Sequence, residues 1–323
     1  MNRREFLLAS SAITLGGCRI LDNGNDLWSD GSALSFEGGI RVRFLGCGAS
    51  GWKPEWAKNP HMRRQSSVLI ENKVLIDFTA SAFELLPFDC HPEVLFQTHS
   101  HGDHYDPEAA VKSGVRRMYV HESWAATAQR QIADAAEKLG LPYPQVIALP
   151  FAKPVTVCGM RVTGVPANHS TSRLTNGVLE RASLYLVEKG PSRLFYATDT
   201  GGIPGDSARM VGIDRHVTKE RYESWFAGNP MVAEPRPITA FIMEATNGDL
   251  DDDFRIFVHS SVQEVARIVS ALVKTGRFTP PSGQHAYLTH LGIKYRDWPA
   301  EKINAEIPSS LRAASDGLEV VLG

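Results

Sequence analysis

Cysteine is scarce in this chain. Its 323 residues hold four, at positions 18, 47, 90 and 158, and none stands in a Cys-x-x-Cys pair. That spacing argues against a disulfide scaffold or a Cys-rich zinc ribbon and leaves Cys47, Cys90 and Cys158 as buried free thiols. Neither sign of charge is in excess. Lys+Arg is 34 against Asp+Glu 36, a formal net charge of −2, which argues against a protein whose main business is coating nucleic acid. No run approaches the roughly 18 apolar residues of a membrane-spanning helix. There is no solenoid-period repeat and no low-complexity tract. What is present, 43 % hydrophobic and 22 % charged residues, is ordinary for a chain that buries a sizeable core.

The first eighteen residues stand apart. Arg3 and Arg4 precede Phe6-Leu7-Leu8, and a short apolar, small-residue run extends to Gly17. That run is too short to span a bilayer and fits a signal h-region. The arrangement resembles a twin-arginine export signal, and Leu15-Gly16-Gly17-Cys18 resembles a lipobox whose cysteine is acylated. Residues 1–17 are therefore expected to be a signal peptide, with Cys18 the lipidation site. Residues 18–39, rich in Asn, Asp, Gly and Ser, are expected to form a lipidated or flexible tether. The implied location is periplasmic, soluble or anchored to the membrane as a lipoprotein.

From Ile40 onward the patterning is globular. Strands are expected at Val42–Leu45, Ser67–Ile70, Val74–Asp77 and Val94–Gln97, and later at Val155–Val157, Val162–Val165, Leu184–Val187, Leu194–Thr198, Ile238–Met243, Ala286–Thr289 and Leu318–Leu322. Asp106-Pro107-Glu108 starts a helix, Ser123–Leu139 forms a second ended by Gly140, and Ser261-Val-Gln-Glu264 is a capping box for a third. Residues 202–237, with a short helical stretch expected near Thr218–Phe226 and with Arg221, Tyr222 and Trp225, look like an insertion that either covers the site or packs as a surface excursion. Gly46-Cys-Gly48-Ala-Ser-Gly51 matches Gly-x-Gly-x-x-Gly in form. Lys53-Pro54 and Asn59-Pro60 follow it, which is poor helix material, so a dinucleotide site is not expected.

The chemistry lies in Thr98-His99-Ser100-His101-Gly102-Asp103-His104, directly after an apolar strand. An extended chain points His99 and His101 to one side, and a turn at Gly102 aims Asp103 and His104 at a second point. Imidazole and carboxylate donors suit Zn, Mn or Fe.

This segment resembles the His-x-His-x-Asp-His signature of the metallo-β-lactamase superfamily. The resemblance extends in order along the chain through Asp77 in Val-Leu-Ile-Asp, His169 in Pro-Ala-Asn-His, Asp199 in Tyr-Ala-Thr-Asp and His290 in Tyr-Leu-Thr-His. It implies an α/β, four-layer αβ/βα sandwich over residues 40–323. It also implies two divalent ions, one held by His99, His101 and His169 and the other by Asp103, His104 and His290. Asp199 and a hydroxide would bridge them, and Asp77 would orient the ligand loop. His285 competes with His290 but precedes its strand.

An aspartate at the bridging position resembles the dinuclear branches rather than the true β-lactamases. The glycine loop, Arg64–Ile70 and the ending Ile307-Pro to Asp316-Gly317 resemble the branch of cyclic phosphodiesterases and tRNA 3′-processing ribonucleases. That branch carries an extra histidine that assists the leaving group, and His259 matches it. Asp103 and His259 are thus the candidate catalytic residues, and the expected substrate is a small anionic phosphodiester. The Cys-rich zinc loop of some members is missing between Gly51 and Arg64. Lactone or thioester hydrolysis on the same metals is the rival activity, and a non-catalytic exported binding protein the rival class.

Overall fold

The computed structural model describes residues 38–175, 177–250 and 254–323. The signal peptide, Cys18 and most of the tether lie outside the described residues. Strand β1 (Ile40–Gly46) lies antiparallel between β14 (Glu319–Leu322) and β2 (Ser67–Ile70). The turn into β3 (Val74–Ile76) uses Glu71 and Asn72 at φ 51° and 55°, the two successive left-handed residues that a tight hairpin favours. β4 (Val94–Phe96), β5 (Arg117–His121) and β6 (Gln145–Leu149) then add in parallel, giving the order β14-β1-β2-β3-β4-β5-β6. A second seven-stranded sheet runs β13-β12-β11-β10-β9-β8-β7. Its strands are β7 (Pro154–Val157), β8 (Met160–Thr175), β9 (Val178–Lys189), β10 (Ser192–Ala197), β11 (Ala240–Glu244), β12 (Ala286–Thr289) and β13 (Leu311–Ala313).

Three apolar seams separate four layers, as expected. Phe44, Ile76, Phe96, Tyr185, Tyr196 and Ile242 fill the space between the sheets. On the outer face of the first sheet, Leu95, Met118, Trp124 and Ile132 seat α1 (Pro107–Lys112) and α2 (Ala125–Leu139). On the outer face of the second, Phe241, Val265, Val269 and Ile303 seat α3 (Gly205–Val211), α4 (Val262–Lys274) and α5 (Ala300–Glu306). The caps act as the sequence suggests. Asp106 accepts from Ala109 N at 3.1 Å and Ser261 from Glu264 N at 3.1 Å, each satisfying an orphan donor of a first turn.

Four expectations need correction. The helix foreseen from Ser123 begins as a 3-10 turn over Glu122–Trp124 and becomes α-helical at Ala125. The strands foreseen at Val162–Val165 and Leu184–Val187 are the middles of much longer ones. β7 reaches β8 only as far as Thr163, and β10 reaches β9 only from Tyr185 onward. Between those limits β8 and β9 run on as a two-stranded ribbon, with register shifts after Pro166 and Ser170. The helical stretch foreseen near Thr218–Phe226 is one turn, Lys219–Arg221, followed by a π-helical turn, Tyr222–Phe226. There Arg221 stacks on Trp225 at 5.3 Å and donates to His216 O at 3.0 Å, contacts internal to the excursion. Finally, Arg255–Lys274 is long and apolar enough to cross a membrane by length and composition. It is split into a 3-10 turn, Phe254–Phe257, and α4, whose Val262, Val265 and Val269 are core residues.

The glycine loop braces the site from below. Asp316 accepts from Cys47 N at 3.0 Å and from Arg64 N at 2.7 Å, and Leu291 N donates to Cys47 O at 2.7 Å. A single 3-10 turn, Pro54–Lys58, follows the loop instead of a helix. On the far side, a Cβ at Gly292 would lie 1.8 Å from Thr246 O. Gly292→Ala is therefore expected to displace the chain after β12 and cost about 2–3 kcal/mol. Thermal denaturation checks this, and an unchanged Tm would contradict it.

Candidate metal centre

Apart from His169, each donor sits just beyond the end of a strand of the parallel region. Asp77, Asp199 and His290 follow β3, β10 and β12, and all three adopt positive φ, at 53°, 47° and 48°. Left-handed backbone at a non-glycine residue costs about 1–3 kcal/mol and persists only where its surroundings hold it. Here it turns each side chain back across the strand ends. Asp77 is completely buried. Its Oδ1 accepts from Thr98 N at 2.8 Å and Gln97 Nε2 at 2.7 Å, and its Oδ2 lies 2.7 Å from His104 Nδ1. The carboxylate thereby fixes the ligand loop and leaves His104 Nε2 facing inward. Asp77→Asn is expected to weaken metal binding by about 10–100-fold while the chain stays folded. Competition with a chromogenic chelator measures it, and wild-type affinity would contradict it.

His99, His101, His169 and Asp199 bring one donor atom each within 4.8 Å of one another, and so do Asp103, His104, Asp199 and His290. These are the two sets the sequence suggests, with Asp199 common to both. His99 Nε2 lies 3.0 Å from His101 Nδ1, and His169 Nε2 lies 3.2 Å from that same nitrogen. Asp199 Oδ2 is 3.3 Å from both His99 Nε2 and His104 Nε2, and its Oδ1 is 3.0 Å from His290 Nδ1. His290 Nε2 is 3.3 Å from Asp103 Oδ2. His169 sits within β8 rather than after a strand, at the register shift that follows Pro166, and its Nδ1 is 3.2 Å from Val258 O. His285, the competitor of His290, lies before β12 and joins neither set.

The electrostatics demand positive charge. Burial drives the His99 imidazole down to about 3, assisted by the neighbouring His104. His104 and His290 go the other way: burial alone would lower them, but Asp199 and the other carboxylates outweigh it, carrying His290 up to about 10. Burial resists ionisation of Asp199, yet His290 and His104 hold its carboxyl well below the usual range. His104 Nε2 and Asp199 Oδ1 are buried without a hydrogen bond. Each has a charged neighbour, Asp199 Oδ2 at 3.3 Å and His290 Nδ1 at 3.0 Å, but no aligned hydrogen bond, and burying such atoms is costly unless a cation takes their lone pairs. The donor set therefore fits divalent metal, and nitrogen–oxygen donors suit Zn, Mn or Fe.

One member of the site was missed by the sequence reading. Glu244, at the end of β11, is completely buried. It accepts from Thr200 N at 2.5 Å, from Thr246 N at 3.1 Å and from the Thr246 hydroxyl. Its Oε1 lies 3.0 Å from His259 Nδ1. His259 is brought against the cluster, its ring 5.1 Å from His169 and 5.9 Å from His290. Burial would lower the His259 imidazole, but Glu244 outweighs it and raises it. The only sequence signal was an acid closing an apolar run, Phe241-Ile-Met-Glu244.

Residues 75–225 match a family model described as a beta-lactamase superfamily domain. No curated protein matches the chain. Among solved structures, Zn(2+)-bound PqqB from Methylobacterium extorquens superposes with a TM-score of 0.58 at 16 % identity, covering 87 % of this chain and 99 % of that one. Human tRNase Z, short form, gives 0.54 at 15 % identity, with 88 % and 99 % covered. Unliganded yeast PDE1 gives 0.50 at 11 % identity, with 88 % and 99 % covered. These likenesses establish the metallo-β-lactamase fold. The family match contains His99 to Asp199, while Glu244, His259 and His290 lie beyond it and are joined to the set by the geometry above.

Proposed function

We propose that this protein is a dinuclear metal-dependent phosphodiesterase acting on a small anionic substrate. His99, His101 and His169 would hold one ion, Asp103, His104 and His290 the other, with Asp199 shared and Asp77 orienting His104. Bound there, divalent metal supplies Lewis-acid activation of water and offsets charge on the phosphoryl oxygens. Asp103 is the more open of the two carboxylates, and its Oδ2 is paired with His290. It is placed to accept a hydrogen bond from the attacking water and fix its orientation.

The observation that carries the phosphodiester reading is the Glu244–His259 pair. Glu244 accepts a hydrogen bond from the Nδ1–H of His259, so a charged His259 keeps its transferable proton on Nε2 at the edge of the cluster. A phosphodiester expels an alkoxide, and protonation of that oxygen is where a general acid contributes about 10²–10⁴-fold. The buried carboxylate favours the charged imidazole over the neutral one. The arginine pair and Cys18 at the N-terminus extend the reading to an exported enzyme, anchored to the membrane where Cys18 is acylated.

A hydrolysis panel with added Mn²⁺ or Zn²⁺ tests the reading. Its substrates are bis(p-nitrophenyl) phosphate, a nucleoside 2′,3′-cyclic phosphate, a lactone and a thioester. Preference for the phosphorus esters is expected. Preference for the carbon esters would contradict it.

A further inference from the structure

The β8–β9 ribbon does more than deliver His169. Four residues after His169 it carries Arg173, an exposed residue. Nη1 of Arg173 donates to Ser100 O at 2.8 Å and reaches Ser100 Oγ at 3.4 Å. Ser100 lies between His99 and His101, so the guanidinium is anchored on the ligand loop itself. Behind Ser100, the buried Glu180 accepts from the Ser100 hydroxyl and from Thr171 Oγ1 at 3.5 Å. The ribbon and the loop are thus locked together, with the carboxylate inside and the cation outside.

Resting on the phosphodiesterase reading, we infer that Arg173 is a specificity-determining residue, which binds a second anionic group on the substrate. The first negative charge belongs to the scissile phosphodiester. The second, a carboxylate or phosphate on the His101 side of the centre, would meet Arg173. A guanidinium presents five N–H donors in a planar fork matched to two oxygens of such a group. Ser100 engages Nη1 alone among the described bonds, and no carboxylate ion-pairs with Arg173 among the described residues. The anchoring matters energetically. An arginine already held in place loses less rotamer freedom on binding than a free surface side chain.

The test compares kcat/KM of the metal-loaded wild type with Arg173→Ala and Arg173→Lys on matched pairs. One pair is methyl p-nitrophenyl phosphate and 2-carboxyethyl p-nitrophenyl phosphate. The other is p-nitrophenyl acetate and p-nitrophenyl hemisuccinate. Within a pair, the added carboxylate is expected to raise kcat/KM for the wild type. Arg173→Ala is expected to lose about 10–100-fold on the carboxylate-bearing member and far less on its partner. Arg173→Lys, a point charge without the fork, is expected to recover part of the difference. Equal losses on both members would assign Arg173 to positioning the ligand loop and overturn the inference, as would no loss on either. Turnover confined to the carbon esters would instead overturn the phosphodiesterase reading, and the ratio within that pair would still judge Arg173.

Discussion

Asp199→Ala is expected to abolish hydrolysis, lowering kcat/KM by about 10⁴-fold or more, and to reduce bound metal from two ions to fewer than one. Among the described residues, Asp199 alone is common to the His99–His101–His169 group and the Asp103–His104–His290 group, so its loss removes a ligand from each. It also leaves His104 and His290 buried beside each other, their rings 4.9 Å apart, without the carboxylate that stabilises positive charge on them. Breaking a buried charge arrangement from one side typically costs about 3–5 kcal/mol. The variant can therefore be marginally folded, and circular dichroism must accompany the assay. Asp199→Asn separates the effects, because it preserves shape and removes only the charge. Elemental analysis of folded Asp199→Asn should find less metal than in the wild type. Two tightly held ions in that variant would show that Asp199 is not shared.

His259→Ala gives the second large effect, and its size should depend on the leaving group. For a phosphodiester that expels an alkoxide, a loss of about 10²–10³-fold is expected, the usual range for removing a general acid. For bis(p-nitrophenyl) phosphate the departing phenolate is stable without a proton, and the loss should shrink to less than about tenfold. Glu244→Gln should follow the same pattern more weakly, since it leaves the imidazole in place but removes the charge that raises it. The sign of its pH effect is fixed. The acid form of His259 persists to higher pH with Glu244 than without it, so the high-pH limb of kcat should move to lower pH in Glu244→Gln. A limb that stays in place, or a loss equal on both leaving groups, would remove His259 from the role of acid.

The sandwich is legible in the sequence, and so is the grouping of most of the candidate donors, for a local reason. Four of the donors fall within Thr98–His104, where one turn after one strand determines their placement. Asp199 and His290 each close an apolar run, and strand ends are where parallel sheets collect their functional groups. Glu244 escaped because a lone acid after Ile-Met is commonplace, and only the fold brings it against His259, fifteen positions on. The length of β8 was hidden by Pro166 and the polar run Asn168–Ser172, which break the alternation a strand normally shows. The register shifts in that stretch turn His169 toward the cluster. Arg173 was invisible for the same reason, since its place beside Ser100 depends on how far the ribbon runs past the sheet. The pairing of β14 with β1 joins distant parts of the chain and leaves no local pattern.

The most direct test is a metal titration of the stripped protein, with bound ions and phosphodiester hydrolysis followed together. Saturation at two ions per chain is expected, with activity rising chiefly as the second is taken up. Saturation at one ion with full activity, or two bound ions and no phosphodiester hydrolysis, would contradict it.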